Sequence, residues 1–219
     1  MWKSEAVWVN RQIVDLGLDR KPARCLNLGS STRDYRERQK PYIQDLLVQP
    51  LSRFGTICNV DAKADDGIDE VGDFCDPAFV DRLALAKYDL ILCNNLLTHV
   101  TCRQTVFAII DRCLADGSYA IVTAPSVYPY CADPYDAKYR PTVADLAESV
   151  PNVEVIASTV LESDETHMTR LLRNPRLSAG LAFNVLVPIA GLERWRNVTS
   201  DLPNLFTPFR TSCVVLHRA

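Results

Sequence analysis

Short apolar runs alternate with amphipathic segments along most of the 219-residue chain. In the first segment, Ala6, Val9 and Ile13 recur at helical spacing and predict a helix over residues 4–18. Strands that alternate with helices favour parallel pairing, so the pattern predicts a doubly wound, mostly parallel α/β sheet of seven strands with helices on both faces. The predicted strands are residues 23–28, 56–61, 68–73, 88–93, 119–123, 153–160 and 211–216, and the later helices are 77–86, 101–114 and 142–150, with a partly helical segment after residue 41.

Residues 164–207 break this rhythm and are predicted to be an insertion before the last strand of a single domain, residues 1–219. The insertion contains the longest apolar run, Leu177 to Gly191. Asn184 and Pro188 interrupt this run, which is shorter than the roughly 20 residues that cross a bilayer, so no stable membrane insertion is expected. A substrate lid or a homodimer face through the apolar segment 177–206 is the favoured interpretation, and contact with a membrane surface is the alternative.

The composition is that of an ordinary globular protein, with 47% hydrophobic residues, 23% charged residues and a formal net charge of −3. This balance provides no domain-wide basic field, so a nucleic-acid partner is not expected. Arg33, Arg36 and Arg38 lie beside acidic residues and are interpreted as a solvated helix face.

The eight cysteines raise the question of disulfides or a metal site. Cys25, Cys58, Cys93 and Cys213 lie inside apolar runs, and no CxxC pair occurs. Buried free cysteine behaves as a small hydrophobe, so the sequence predicts reduced, structural thiols and no metal site. The N-terminal residues lack the apolar segment of a secretory signal, and a cytoplasmic location is expected.

The predicted strands end on residues suited to a nucleoside ligand, and open parallel sheets bind ligands beyond these carboxyl ends. The first strand runs into residues 29–32, where small side chains let backbone N–H groups approach an anionic part of a ligand. Asp61 ends the second strand and can accept hydrogen bonds from two ribose hydroxyls. After the third strand, Asp73 offers an acceptor for an exocyclic amine and Phe74 an aromatic face. With two asparagines at the end of the fourth strand, these features predict a site for an adenosine ligand with a polar tail.

Each feature also has a simpler interpretation. Residues 29–32 are consistent with an ordinary tight turn, Asp61 with a solvated loop acid, and Asp73 with a turn residue before a helix cap at Asp76. Their order at successive strand ends favours the ligand site. The first turn has one glycine, and no Gly-Lys-Ser/Thr follows, so neither a dinucleotide-binding turn nor a P-loop is predicted.

Four short motifs occur in sequence at residues 26–31 (LNLGSS), 71–74 (VGDF), 88–100 (YDLILCNNLLTHV) and 114–119 (LADGSY). Together with Val60-Asp61 they resemble the motifs of class I S-adenosylmethionine-dependent methyltransferases, in the small-molecule, bacterial-type branch, over about residues 22–160. The resemblance implies a Rossmann-like fold and S-adenosyl-L-methionine as the cofactor. The cofactor-binding residues that it implies are Asn27, Gly29, Ser30, Ser31, Asp61, Ala62, Asp73, Phe74, Asn94 and Asn95.

The resemblance also implies a role for each part of this set. Gly29 and Asn94 flank the methionine tail of the cofactor, Asp61 binds the ribose, and Asp73 with Phe74 binds the adenine.

The chain departs from the family pattern at two positions near the cofactor. Ser31 occupies the position of the second glycine, which narrows the space for the methionine moiety. Thr98 replaces the acid that usually precedes the histidine, which removes a carboxylate from the rim of the site. A third departure, Asp116 and Ser118 in the turn before the fifth strand, is interpreted as a surface change.

His99 follows the fourth strand and is the first general-base candidate, with a backbone-bonded histidine at a helix start as the alternative. Residues 128–141 contain four tyrosines between prolines, and Tyr135 and Tyr139 are predicted to form an acceptor wall with His99. The alternative is a rigid loop that packs on the sheet, with Asp136 and Arg140 as a surface ion pair.

These observations predict methyl transfer from S-adenosyl-L-methionine to the oxygen or nitrogen of a small molecule, in secondary metabolism or glycan tailoring. Two alternatives stay open. One is a cofactor-binding protein without catalysis, and the other is the same fold with a different reaction, such as cyclisation or decarboxylation.

Overall fold

The computed structural model describes residues 1–130, 136–174 and 204–219. Within these residues, seven strands form one sheet in the order β3-β2-β1-β4-β5-β7-β6. The strands are β1 (Arg24–Leu28), β2 (Thr56–Asp61), β3 (Glu70–Val71), β4 (Tyr88–Asn94), β5 (Leu114–Val127), β6 (Glu154–Thr166) and β7 (Pro208–Arg218).

Strands β3, β2, β1, β4 and β5 pair in parallel, and β7 runs antiparallel to both β5 and β6. The predicted doubly wound, mostly parallel seven-stranded sheet is therefore confirmed. The chain moves outward from β1 to β3 on one side and from β4 to β5 on the other. The strand order thus reverses between β1 and β4, and this is where open α/β sheets form a ligand crevice.

The helices form where the sequence provides apolar spacing and caps. Asp76 caps its helix by accepting a hydrogen bond from the Ala78 N–H at 3.0 Å, ahead of Pro77 at the first helical position. Thr142 and Asp145 form a reciprocal capping box. The α-helices are α1 (Lys3–Asp15), α2 (Pro41–Ile43), α3 (Gln49–Ser52), α4 (Pro77–Leu83), α5 (Arg103–Cys113), α6 (Val143–Ala147) and α7 (His167–Arg173), with π-helical turns at Tyr35–Gln39 and Gln44–Val48 and a 3₁₀ turn at Leu96–Thr98.

Both faces of the sheet carry a core, because successive strand residues point to opposite sides. In β4, Leu90 and Leu92 pack with α1, while Ile91 and Cys93 pack with α4 and α5. All four side chains are at most 2% exposed. A strand covered on both faces explains why β4 is a continuous apolar run.

Several predicted boundaries differ from the structure, most of all those of β5 and β6. Strand β5 begins at Leu114 and not at residue 119, because Leu114 pairs with Tyr88 of β4 ahead of the turn at residues 116–117. Strand β6 continues to Thr166, so the predicted insertion begins inside a strand and continues as α7. Most of the predicted lid or dimer face, residues 175–203, lies outside the described residues. No helix among the described residues is both long and apolar enough to span a membrane.

The prediction that the cysteines are reduced is wrong for one pair. Cys75 and Cys102 form a disulfide, with Cα atoms 5.4 Å apart and a sequence separation of 27 positions. The pairing arises because the starts of α4 and α5 are packed together in the fold, which no local spacing shows. Cys25, Cys58, Cys93, Cys113 and Cys213 are free thiols, as predicted for the four of them named from the sequence. A cytoplasmic location stays a prediction.

Candidate active site

A cavity of about 390 Å³ lies at the carboxyl ends of β1, β2 and β4, beside the point where the strand order reverses. We call it the strand-end cavity. Its described lining combines apolar side chains with one acid and several amides and hydroxyls, a mixture typical of small-molecule sites. The lining residues are Met1, Asn27, Gly29, Ser30, Ser31, Thr32, Tyr35, Ile43, Leu47, Val48, Asp61, Ala62, Lys63, Phe74, Asn94, Asn95, Leu96, His99 and Val100.

The turn after β1 requires a left-handed backbone at Gly29, with φ +67°. A Cβ atom added there would lie 2.9 Å from Cδ1 of Leu96, so glycine allows both the conformation and the close packing. Ser31 has a φ of +57°, an unusual conformation for a residue with a side chain. Position 31 therefore favours glycine on physical grounds, and the structure does not explain why serine occupies it in this chain.

The backbone N–H groups of this turn are bound inside the protein. Those of Gly29 and Ser30 donate to the Val60 carbonyl at 2.9 and 3.1 Å, and that of Ser31 donates to Oδ2 of Asp61 at 2.9 Å. The prediction that they point at an anionic part of a ligand is therefore wrong for these three groups. They fasten the end of β1 to the end of β2.

Asp61 is half-buried at the edge of the strand-end cavity. Its Oδ1 accepts a hydrogen bond from the Lys63 N–H at 3.2 Å, while Oδ2 binds Ser31. A carboxylate oxygen can accept a second hydrogen bond, so Asp61 keeps acceptor capacity for two hydroxyl groups. The two backbone contacts fix the orientation of the Asp61 carboxylate.

Arg36 is only 4% exposed, which corrects the interpretation of this arginine as part of a solvated face. Its guanidinium donates to the carbonyls of Ser30, at 3.1 Å, and Ser31, and to the carbonyl of Gly67 at 2.8 Å. Burial lowers the pKa of Arg36 from its usual value. The side chain thus joins the turn after β1 to the loop after β2. Arg33 and Arg38 are exposed, as predicted.

Phe74 and Asp73 lie differently in the structure although they are neighbours in sequence. Phe74 is 3% exposed and lines the strand-end cavity. Asp73 is exposed, does not line the cavity, and accepts the Cys75 N–H at 2.8 Å. Its carboxylate therefore acts in a turn ahead of the Asp76 cap.

A buried carboxylate that the sequence analysis did not select lies behind Asn94 and Asn95. Glu5 of α1 is fully buried, and its Oε1 accepts from Nδ2 of Asn95 at 2.8 Å and from the Thr123 hydroxyl at 2.5 Å. That hydroxyl also lies 3.1 Å from Oδ1 of Asn94. The sequence signal that could have indicated the burial of Glu5 is its spacing, because Glu5 precedes Val9 by one helical turn on the buried face of α1.

The Glu5 contact orients the amide of Asn95. Asn95 has a φ of +59°, and its backbone N–H donates to the Thr123 carbonyl at 2.9 Å. With Nδ2 bound to Glu5, its Oδ1 is the part of the amide that is left to act as an acceptor. The predicted Asn27 also lines the strand-end cavity and donates to Oδ1 of Asn59 at 3.0 Å.

A second cavity of about 430 Å³ adjoins the first, and the two share Met1, Tyr35, Asn95 and His99. We call it the aromatic cavity because three ring side chains, Trp2, Tyr35 and Tyr128, line it. Its other described lining residues are Met1, Lys40, Asn95, Thr98, His99, Pro125, Asp136, Arg140, Glu165 and Arg170.

The predicted catalytic residues fall into three different places. His99 lines both cavities. Tyr135 lies outside the described residues. Tyr139 lines neither cavity: its ring stacks under the Arg103 guanidinium at 4.6 Å and borders the core. The structure therefore brings His99 to the site and keeps Tyr139 away from it.

Asp136 and Arg140 form an ion pair, but it is not the surface pair considered as the alternative. The carboxylate accepts from the guanidinium at 2.7 and 3.0 Å, and the Asp136 side chain is 2% exposed. The Arg140 guanidinium also donates to the carbonyls of Tyr128, at 3.2 Å, and Pro129, at 3.4 Å. This network holds the two ends of the tyrosine-rich loop together.

Comparison with known proteins yields no match to a family model and no match to a curated protein. Solved structures do match. Coclaurine N-methyltransferase, bound to N-methylheliamine and S-adenosylhomocysteine, has a TM-score of 0.56 and 11% identity over 97% of this chain and 70% of its own. The cyclopropane-fatty-acyl-phospholipid synthase-like protein from Lactobacillus casei has a TM-score of 0.58 and 11% identity over 98% of this chain and 91% of its own.

A third structure, the [4+2]-cyclase SpnF, matches with a TM-score of 0.52 and 14% identity over 95% of this chain and 80% of its own. At such identities the likeness concerns the fold. From the strand order, the cavity at the strand ends and these neighbours, the chain has the fold of the class I S-adenosylmethionine-dependent methyltransferases.

Proposed function

We propose that this protein transfers a methyl group from S-adenosyl-L-methionine to the oxygen or nitrogen of a small molecule. The observation that carries the proposal is the pair of adjoining cavities, which share Asn95 and His99 at the carboxyl ends of the strands. Two ligands bound in such cavities meet at the shared residues. Methyl transfer needs that arrangement, because its main requirement is to hold donor and acceptor in line.

The residues of the strand-end cavity fit S-adenosyl-L-methionine. Asp61 has acceptor capacity for the ribose hydroxyls, and Phe74 with Val48 and Val100 offers an apolar slot for the adenine. Asn94 and Asn95 lie where the polar methionine tail would end. When bound, the cofactor supplies a methyl group on a positively charged sulfur.

His99 is the proposed proton acceptor for a neutral hydroxyl or amine. Of the other described groups in the aromatic cavity, Asp136 is paired with Arg140, and Glu165 is paired with Arg173 at 2.8 Å. Thr98, where the resemblance places an acid, is buried and donates its hydroxyl to the Asn95 carbonyl at 3.0 Å. An imidazole at the junction of the cavities is the base that this lining offers.

The cofactor assignment is tested by calorimetric titration of S-adenosylhomocysteine into Asp61→Asn. We expect the affinity to fall by roughly tenfold to a hundredfold, which corresponds to the loss of one hydrogen bond to a charged group, worth about 1.5–3 kcal/mol. Asp65→Asn, in the same loop but not in the cavity lining, is the control and should bind as the wild type does. Equal affinity in Asp61→Asn and the wild type would remove Asp61 from the site.

A second candidate is a reaction without methyl transfer on the same fold. The observation that favours it is Thr98, because a position that the resemblance gives to a carboxylate holds a buried hydroxyl here. Incubating the protein with methyl-labelled cofactor and a panel of small alcohols, phenols and amines separates the two candidates. Labelled product supports methyl transfer, whereas tight cofactor binding with no labelled product supports the second candidate.

A further inference from the structure

The described lining of the aromatic cavity carries three cationic side chains, Lys40, Arg140 and Arg170, and two carboxylates, Asp136 and Glu165. Both carboxylates are already paired with arginines. Arg140 holds Asp136 through two contacts, and Arg173, which is 70% exposed and lies outside the lining, holds Glu165 at 2.8 Å. Of the cationic side chains in this lining, Lys40 and Arg170 donate to neutral oxygens in the structure.

Both cations keep donors beyond those contacts. Nζ of Lys40 donates to the Met1 carbonyl at 2.8 Å, and Nη1 of Arg170 donates to the Tyr128 hydroxyl at 2.7 Å. An ammonium group has three donors and a guanidinium five, so each side chain has capacity for a further acceptor. An anionic oxygen is the preferred partner, because a charge-assisted hydrogen bond is about twice as strong as a neutral one.

An aromatic surface lies beside these cations. The rings of Trp2 and Tyr128 meet edge-on with centroids 5.9 Å apart, and both pack on Phe209 at 5.6 and 5.0 Å. Each ring is held by the other two, so Trp2 and Tyr128 present a fixed apolar wall to the cavity. A flat, unsaturated molecule packs well against such a wall.

We propose that the acceptor is a small molecule with a flat apolar body and an anionic group, a carboxylate or a phosphate, which Lys40 and Arg170 bind while the body packs against Trp2 and Tyr128. This inference rests on the proposed function and names its substrate class. It gives α7 and the helical segment around residue 40 a role in acceptor selection.

The test is calorimetric titration of the full chain saturated with S-adenosylhomocysteine. Three probes of similar shape are used: 4-hydroxybenzoate, phenyl phosphate and the neutral 4-hydroxybenzamide. We expect at least one anionic probe to bind tenfold or more tightly than the amide, and the tighter of the two anions identifies the group. Equal affinity of the amide and both anions would overturn the proposal.

Two variants locate the contact. Arg170→Gln should weaken the anionic probe by about tenfold, the effect of one charge-assisted contact worth roughly 1.4 kcal/mol. Arg11→Gln removes an exposed arginine of α1 that lines neither cavity and should leave the affinity unchanged. Equal affinities in both variants and the wild type would overturn the assignment to Arg170.

Titrating S-adenosylhomocysteine into each variant separates this proposal from the proposed function. If that ligand binds and the anions show no preference, the substrate class is wrong and the cofactor site stands. If that ligand does not bind the wild type, the proposed function is wrong, and the same probes titrated without it decide whether the anion site exists by itself.

Discussion

Two residues with side chains, Ser31 and Asn95, hold left-handed backbone at the strand-end cavity. Asn95 is among the residue types that adopt this conformation most readily, and Ser31 is not. In this conformation the N–H of Ser31 donates to Oδ2 of Asp61 at 2.9 Å. The strain at Ser31 is therefore part of how β1 is joined to β2.

Replacing Ser31 with glycine should relieve that strain. We expect Ser31→Gly to raise the free energy of unfolding by about 1 kcal/mol, the typical penalty of a left-handed residue with a Cβ atom. Urea denaturation at equilibrium measures the change. Ser31→Ala, which keeps the Cβ atom and removes only the hydroxyl, is the matched control and should show no gain. A gain in the alanine variant equal to that in the glycine variant would attribute the effect to the hydroxyl.

At the scale of elements, Glu5 connects α1 to the ends of β4 and β5. A buried carboxylate that accepts from Asn95, Thr123 and the Trp2 N–H, the last at 3.2 Å, fixes the helix against the site. Helix α1 thereby does more than cover one face of the sheet, because its first turn sets the orientation of an amide shared by both cavities.

Glu5→Gln tests that connection with a side chain of the same shape. The amide places a donor where one carboxylate oxygen accepts, so a buried partner loses its hydrogen bond, and we expect a loss of stability of about 1–3 kcal/mol. The matched control is Asp15→Asn on the same helix, whose carboxylate is exposed and should be neutral within about 0.5 kcal/mol. A Glu5→Gln variant as stable as this control, measured by urea denaturation, would contradict the account.

The disulfide joins two elements that begin far apart in sequence. Cys75 follows Phe74 of the strand-end cavity, and Cys102 is two residues after Val100 of the same lining. Removing a crosslink of this loop length should lower the free energy of unfolding by roughly 3 kcal/mol in the double variant Cys75→Ser, Cys102→Ser.

Mass spectrometry after alkylation tests the disulfide directly. Burial raises the pKa of Cys93 to about 12 and of Cys113 to about 11, so these thiols stay protonated and resist iodoacetamide in the native protein. In denaturant without reductant they should be labelled, whereas Cys75 and Cys102 should be labelled only after reduction. Labelling of Cys75 in unreduced, denatured protein would show that the bond is absent.

For the whole molecule, the sheet could be predicted because its signals are local. Continuous apolar runs such as β4 and the Asp76 cap depend on neighbouring residues alone. The extent of β5 could not be predicted, because Leu114 pairs with Tyr88 of β4 and Ser118 pairs with Arg218 of β7, partners that are distant in sequence. The same reason applies to the site: Glu5 meets Thr123 across 118 positions, and a sequence window shows an acid but not its partner.

Arg36 and Tyr139 show the same limit of prediction from a local sequence pattern. The pattern around Arg36 is that of an exposed charged segment, yet three carbonyls from two loops surround its guanidinium. Tyr139 lies in a loop rich in functional side chains, yet its ring stacks on Arg103 and the core. The residues around Arg36 and Tyr139 in the sequence therefore do not show whether either side chain points into the protein or toward a site.

The described lining of the strand-end cavity comes entirely from residues 1–100, whereas four of the five charged side chains in the described lining of the aromatic cavity come from residues 136–170. Residues 1–100 thus supply the described lining of the first cavity, and both parts of the chain supply that of the second. A mutational library confined to codons 125–174 would vary the second cavity while it leaves every described contact residue of the first untouched. Laboratory evolution toward new acceptors can therefore vary the charged side chains from residues 136–170, while Trp2 and Lys40 stay constant together with the first cavity.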